Sequence, residues 1–281
     1  MNVLALTGLI GMGSAVAGYL GSLTGLGGGF IIIPLLTLVF GVDIRYAVGA
    51  SLIAVIATSS GAAAAYVKEG FSNIRIGMFL EIATTAGAIF GAFLALRLPT
   101  HAIAVIFGLV LMNSAYLSGR PREEEGGDVV KTDRLALLLK MNGTYPVPRG
   151  SRSYNVRSVP SGFGLMAIAG VLSGLLGIGS GAVKVLAMDQ AMRLPFKVST
   201  ATSNFMIGVT AAASAGIYLN KGYIDPGLTM PVVLGVLIGS TIGARHLFGA
   251  ETKKLRMIFG VVIVILAAQM IYSGLKGWII P

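Results

Sequence analysis

The 281-residue chain contains no cysteine, two histidines, one tryptophan and only 11 acidic residues. The absence of cysteine excludes disulfide scaffolds, thiolate metal sites and cysteine nucleophiles. His101 and His246 fall in no metal-ligand spacing, and each stands near the end of an apolar segment, beside Arg97 or Arg245. They read as polar interfacial residues in preference to a proton relay. No constellation of acids, histidines or nucleophiles suggests catalysis, so no enzyme, metal site or cofactor is expected. Charge itself is scarce: 11% of residues are charged and 55% hydrophobic, with a mean hydropathy of +0.84. Soluble domains carry roughly 25% charged residues, which excludes a soluble fold. The alternating segments of about ten residues that a lipid-exposed β-barrel needs are also missing.

What the chain does have is a series of apolar stretches at or near the ~20 residues that cross a bilayer as helix. Its 40 glycines suit close helix packing in lipid. The expected fold is therefore an all-α polytopic membrane protein. Residues 1–24 invite comparison with a signal peptide, because Ala15-Val16-Ala17 resembles a cleavage site. No Lys or Arg precedes the apolar run, however, and the segment has an internal counterpart, so it is expected to be structural.

That counterpart belongs to a repeat. Shifting the chain by 152 positions brings Gly25-Leu26-Gly27-Gly28-Gly29 onto Gly177-Ile178-Gly179-Ser180-Gly181. The register then holds without a gap: Ser51 meets Ser203, Thr58 meets Thr210, Tyr66 meets Tyr218, Gly70 meets Gly222, and Gly87 and Gly91 meet Gly239 and Gly243. Each copy holds five apolar segments, at about 3–24, 26–41, 46–67, 74–96 and 101–118, then 161–176, 178–192, 198–219, 227–248 and 255–274. Residues 1–118 and 161–281 are the two transmembrane units, joined by a basic linker over 119–160.

An odd number of segments per unit predicts that the copies lie inverted in the membrane. The linker carries Arg120, Arg122, Lys131, Arg134, Lys140, Arg149, Arg152 and Arg157, and the excess of basic residues on cytoplasmic loops places it inside. Counting outward with every segment crossing puts Lys68, Arg75, Arg193, Lys197, Arg245, Lys253, Lys254 and Arg256 inside too, and leaves only Arg45, Arg97, Lys221 and Lys276 outside. An eight-span alternative, with each glycine-broken pair as one crossing, moves most of the second unit's basic residues outside and is rejected. Both termini are expected outside. The net charge of +10 is read through this topology and not as a nucleic-acid surface. Lys131 to Met141 is expected to form a surface amphipathic helix against membrane lipid.

Segments 26–41, 161–176 and 178–192 hold only about 15 or 16 residues, roughly 24 Å of helix against a ~30 Å core. They cross with glycine-rich breaks or form re-entrant turns. Short, broken segments at matching places in two inverted halves point to a transport site at the repeat interface. Glycine runs open the backbone there, and the N–H groups of the helix that follows favour an anion. The candidate solute residues are Gly25, Gly27, Gly28, Gly29, Gly177, Gly179, Ser180 and Gly181, with the hydroxyls and amide of Ser51, Thr200, Thr202, Ser203 and Asn204 nearby. The glycines could instead serve helix packing alone, and the hydroxyls could bond their own helices. Packing is the expected role of the four-spaced Gly87, Gly91, Gly239 and Gly243. A nucleotide-binding reading fails for want of a preceding strand and a downstream acid.

Ionisable groups inside apolar segments are costly and therefore candidates for function. Lys184 could neutralise an anionic solute or pair internally. Glu81 and Asp189 could accept a coupling proton or partner a basic side chain.

With Gly25-Leu26-Gly27-Gly28-Gly29, then Pro34, then Val48-Gly49-Ala50-Ser51-Leu52, the chain resembles the sulfite exporter TauE/SafE family of permeases over nearly its whole length apart from the linker. The resemblance implies a multi-pass permease for small anions such as sulfite, thiosulfate or organosulfonates, and in some members other organic anions. The second copy departs from the motif: Ser180 replaces a glycine, Leu186 stands where the first copy has Pro34, and Lys184 and Asp189 enter an apolar stretch. The expected function is a secondary transporter of a small anion, coupled to protons or sodium and capable of homo-oligomer formation. The alternatives are an anion channel and a carrier of small carboxylates.

Overall fold

The computed structural model describes residues 3–24, 28–118, 133–147, 150–247 and 252–279. In the first unit α1 spans Val3–Thr24, α2 Gly29–Pro34, α3 Ile44–Lys68, α4 Ile74–Arg97 and α5 Thr100–Ser118. In the second, α7 spans Val159–Leu176, α8 Gly181–Leu186, α9 Phe196–Asn220, α10 Pro226–Leu247 and α11 Thr252–Ile279. Local chemistry sets several boundaries. Asn73 caps α4 by accepting the Ile76 N–H at 3.2 Å, and α4 ends where Leu98, held extended before Pro99, cannot continue it. Pro226 opens α10 at a position where a missing N–H costs nothing.

The offset of 152 recurs in these boundaries. The first residues of α2, α3, α4 and α5 map onto those of α8, α9, α10 and α11. Both α3 and α9 end in the same bonded turn, Phe71 N–H to Tyr66 O at 3.1 Å and Tyr223 N–H to Tyr218 O at 3.0 Å. The lipid-facing surface repeats as well. On α4, Met78 and Ile82 are 62% and 64% exposed, and their counterparts Met230 and Leu234 on α10 are 61% and 56% exposed. Large apolar side chains left uncovered in stripes of this kind belong against hydrocarbon. The helices over Ile74–Arg97, Val159–Leu176 and Pro226–Gly243 are long and apolar enough to cross a membrane, and shorter apolar helices accompany them.

Helix pairing exchanges between the copies: α1 packs on α10, α4 on α7, α3 on α9 and α5 on α11. Glycines set the closest approaches, as expected for their four-residue spacing. A Cβ on Gly87 would strike the Ala167 carbonyl, and the counterpart contact sets Gly239 on the Ala15 carbonyl. Gly170 against Thr84 and Gly18 against Val236 form a second matched pair. Two equivalent pairs, α3 with α9 and α5 with α11, pack antiparallel. The start of α3 meets the loop that follows α9, where the Tyr46 and Tyr223 rings lie 5.4 Å apart, and the first turns of α9 meet the loop that follows α3, where Asn73 N–H donates to Thr202 Oγ1 at 3.0 Å. For α5 and α11, Cβ atoms on Gly108 and Gly274 would stand 2.8 Å from Ala267 O and 2.9 Å from His101 O.

The linker adds one short hairpin to an otherwise helical fold. Of the proposed surface helix, Lys131 and Thr132 lie outside the described residues, and only Arg134–Leu138 (α6) is helical. It is followed by an antiparallel hairpin of β1, Gly143–Val147, and β2, Gly150–Tyr154. The strands pair from Gly143 opposite Tyr154 to Val147 opposite Gly150, in a stretch rich in Pro, Gly and Arg. Ala136, Met141 and Val156 are fully buried against Ile76, Leu80, Met188 and Met192, which fixes α6 and the hairpin onto one end of the helices. Asn73 Nδ2 donates to Met141 O at 2.8 Å and to Tyr154 Oη at 2.7 Å, Arg75 donates to Lys140 O at 3.2 Å, and Arg157 N–H donates to Met192 O at 3.1 Å. The linker, the loop after α3 and the loop before α9 thus share one end. At another group of loops, Arg45 donates to Leu98 O at 2.9 Å and lies 5.8 Å from the centre of the Tyr223 ring.

Candidate functional site

Both broken segments are half-helices. α2 continues as a π-helical turn over Leu35–Val39, and α8 as another over Ala187–Ala191. Eleven residues of helix span about 16 Å, half of a hydrocarbon core. Pro34 supplies one reason for the widened turn, since it removes an N–H and crowds the preceding turn. The second copy makes the same turn with Leu186 in place of proline, so proline is not required for it. The first half-helix folds back along α1: a Cβ on Gly13 would lie 2.9 Å from Leu35 Cδ2, and one on Gly28 would lie 3.7 Å from Ala17 O.

The turns into the half-helices differ between the copies. Gly177, Gly179 and Ser180 all have positive φ, 68°, 69° and 46°. Serine in the left-handed region is strained relative to glycine. Gly28, the counterpart of Ser180, is right-handed at φ −68°. Gly25 and Gly27 lie outside the described residues. Gly29 and the second turn meet directly: a Cβ on Gly29 would stand 3.2 Å from Ile178 Cα and 2.8 Å from Ser51 Oγ. Ser51 Oγ donates to Gly177 O at 3.0 Å, so α3 of the first unit holds the glycine turn of the second. Gly179 is enclosed by Val55 and Ile207, at 3.1 and 2.8 Å from its would-be Cβ.

Three of the hydroxyls near the turns, those of Ser51, Thr202 and Ser203, have partners within the protein. Ser203 donates to Gly181 O at 3.3 Å, Thr202 accepts from Asn73 N–H, and Asn204 donates to Thr200 O at 3.1 Å. Ser180 Oγ is buried without a hydrogen-bond partner, as is Thr200 Oγ1. Asp189 is half-buried in the second π turn.

Lys184 and Glu81 are brought together. Lys184 is fully buried, and its Nζ donates to Thr210 Oγ1 at 2.5 Å. Thr210, also fully buried, donates to Glu81 Oε1 at 2.6 Å, a shorter contact than the 2.9 Å to its own helix at Met206 O. Thr85 Oγ1 donates to the same carboxylate oxygen at 3.1 Å. Glu81 Oε2 is buried and accepts from no group. The chain Lys184–Thr210–Glu81 links the second half-helix, α9 and α4, and a bond to an ionised group at each end is roughly twice as strong as one between neutral groups.

Among the described residues, the positions equivalent by the repeat carry no comparable chain. There Ile32, Thr58 and Val233 take the places of Lys184, Thr210 and Glu81, and Thr58 bonds only the Ala54 and Val55 carbonyls of its own helix. The polar site is therefore built on one side of the repeat symmetry. Thr210 and Thr85 were missed from the sequence because threonine is ordinary in a membrane helix. Their only available signal was the i, i+4 spacing of Glu81 and Thr85. Asn73 was missed because it lies in a loop.

The sulfite exporter TauE/SafE family profile matches residues 9–270. The chain is 27% identical over 272 residues to the probable membrane transporter protein YunE of Bacillus subtilis (strain 168), covering 92% of this chain and 95% of that one. It is 29% identical over 222 residues to the probable membrane transporter protein YdhB of the same organism, covering 79% and 82%. It is 25% identical over 272 residues to the probable membrane transporter protein MJ0441 of Methanocaldococcus jannaschii, covering 91% and 92%. No solved structure matches.

Proposed function

The chain belongs to the sulfite exporter TauE/SafE family, and on that premise we propose that it is a secondary transporter moving a small sulfur oxyanion or organosulfonate across the cell membrane by alternating access. The observation that carries the reading is the meeting of Gly29 with the Gly177–Gly181 turn between α3 and α9, next to the only lysine or arginine buried among the described residues. Discontinuous helices that meet at a repeat interface are where such carriers bind their solutes. The half-helix starts at Gly28, Gly29, Ser180 and Gly181 offer N–H groups, and Lys184 lies one turn further along. Glu81 and Asp189 are the coupling groups, for a proton or for sodium.

The two units, 1–118 and 161–281, lie inverted in the membrane, with the 119–160 linker cytoplasmic and both termini outside. The opposed directions of α3 and α9, and of α5 and α11, support the inversion. The sharing of one end by the linker, Arg75 and Met192 supports the count of crossings, as does the meeting of Arg45 with Leu98 and Tyr223.

Proteoliposomes loaded with one anion of a panel of sulfite, thiosulfate, sulfoacetate, taurine and simple carboxylates test the reading by counterflow of labelled anion. Saturable counterflow of a sulfur anion is expected. Single-channel currents without counterflow would make the protein a pore, and counterflow of carboxylates alone would replace the solute class.

A further inference from the structure

We propose that Glu81, Thr210 and Lys184 form a proton-gated anion site, in which Glu81 is the protein's own stand-in for the transported anion and must be protonated before that anion can bind Lys184. The inference rests on the transporter reading above and adds the group that carries the coupling proton and the way it gates the anion.

The geometry assigns the proton to one oxygen. Both hydroxyl contacts of the carboxyl group end on Oε1, which accepts from Thr210 at 2.6 Å and from Thr85 at 3.1 Å. Oε1 can keep accepting these bonds whether the group is charged or neutral. Oε2 is buried and bonded to nothing, so a proton adds there without breaking a bond.

The consequence follows from charge balance. With Glu81 ionised, the buried cation of Lys184 is compensated through Thr210, and an entering anion would add an uncompensated negative charge in a medium of low dielectric. Once Oε2 carries a proton, Glu81 is neutral and Lys184 is left as a fully buried ammonium that needs a counter-ion. The solute supplies it, and Thr210 can turn its hydroxyl hydrogen from Glu81 to the solute. Net charge in the pocket stays at zero in both states, with one proton and one monovalent anion entering or leaving together. No bond other than the O–H at Oε2 is made or broken.

The neighbouring elements leave few rivals for this role. α7, packed along α4, has no ionisable side chain. On α9, Lys197 is exposed in the first turn, and Tyr218 donates to Gly174 O at 3.3 Å. The second half-helix contributes Lys184 and, in its π turn, Asp189. On α4 itself, Arg75 is bonded to Lys140 O and Arg97 lies in the last turn. From the docked linker, Tyr154 reaches Asn73 and stops at the start of α4.

The test uses two probes whose charge does not change in the working range, thiosulfate and 2-hydroxyethanesulfonate, bound to purified full-length protein from about pH 5 to about pH 8. Binding of the monovalent probe by the wild type is expected to tighten about tenfold for each unit of falling pH, the slope of one linked proton. Glu81→Gln, an isosteric neutral carboxyl mimic, is expected to flatten that slope. Should this variant fail to fold, the wild type alone decides: in weakly buffered detergent solution, binding is expected to take up about one proton per anion. A wild-type slope persisting in Glu81→Gln overturns the inference, as does proton uptake of zero, failure of both probes to bind, or a slope removed by Asp189→Asn and not by Glu81→Gln. Loss of all counterflow in the wild type would instead remove the transporter reading itself.

Discussion

At the scale of single residues, the pairing of Lys184 with Glu81 decides how substitutions there should behave. Either charge alone, buried without its partner, is far more costly than the pair. Lys184→Met is therefore expected to destabilise the protein by about 3–5 kcal/mol. Adding Glu81→Leu should restore most of that stability, because a buried ion pair replaced by apolar groups of similar size is commonly neutral or better. The double variant should nevertheless show no anion counterflow. Thermal unfolding in detergent beside a counterflow assay separates the two effects, and a double variant less stable than Lys184→Met would show that the charges do not act on one another. Gly179 is a poorer probe. Its φ of 69° and its enclosure by Val55 and Ile207 mean that a leucine there perturbs the fold before it reports on transport.

At the scale of elements, Asn73 joins three pieces: it caps α4, donates to the linker at Met141 and Tyr154, and meets Thr202 of α9. Asn73→Ala removes the cap and both linker bonds, at a cost of about 1 kcal/mol for the cap alone. It should speed proteolysis within residues 143–154 several-fold while leaving the helices intact. The Tyr154 phenol gives this dock a pH signature. Burial raises its pKa above the ordinary 10.0, and the bond donated by Asn73 offsets that only in part. The neutral phenol is thus favoured in the folded protein, so the contribution to stability is complete below pH 10.0 and is lost as pH rises through the higher folded value. Hydrogen exchange in the hairpin should accelerate in that alkaline window before it does in α4. Unchanged protection there would mean that the phenol is not part of the dock.

The elements also show how far the amino-acid pattern reaches. The 152-residue register could be read because the same glycines are needed wherever α1 meets α10 and α4 meets α7. The ten apolar segments could be read because lipid imposes length and composition on each. The hairpin could not, since its burial comes from a few contacts of Met141 and Val156 with distant helices. The Lys184–Glu81 pairing was equally hidden. Its partners lie 103 positions apart and meet through a threonine whose hydroxyl gives no distinctive signal in sequence. Ser51 stood out as a hydroxyl near a glycine turn, but it holds the turn of the opposite copy.

For the whole molecule, the claim with the widest reach is that an odd number of crossings turns the second unit upside down relative to the first. If it does, loops at matching positions of the two copies face opposite sides of the membrane, and Gly70 and Gly222, equivalent by register, are separated by the bilayer. The absence of native cysteine makes this directly measurable, because any introduced thiol is the only one. Lys68, Ser153 and Lys221 are exposed positions at the last residue of α3, in the hairpin and just after α9. A membrane-impermeant maleimide applied to intact cells should label Lys221→Cys, and should label Lys68→Cys and Ser153→Cys only after permeabilisation. The inward placement of the linker rests on the excess of basic residues that cytoplasmic loops carry, and this labelling pattern is its test. Labelling of Ser153→Cys and Lys221→Cys from the same side would require an even number of crossings between them. The antiparallel packing of α3 on α9 would then need an explanation other than inverted insertion.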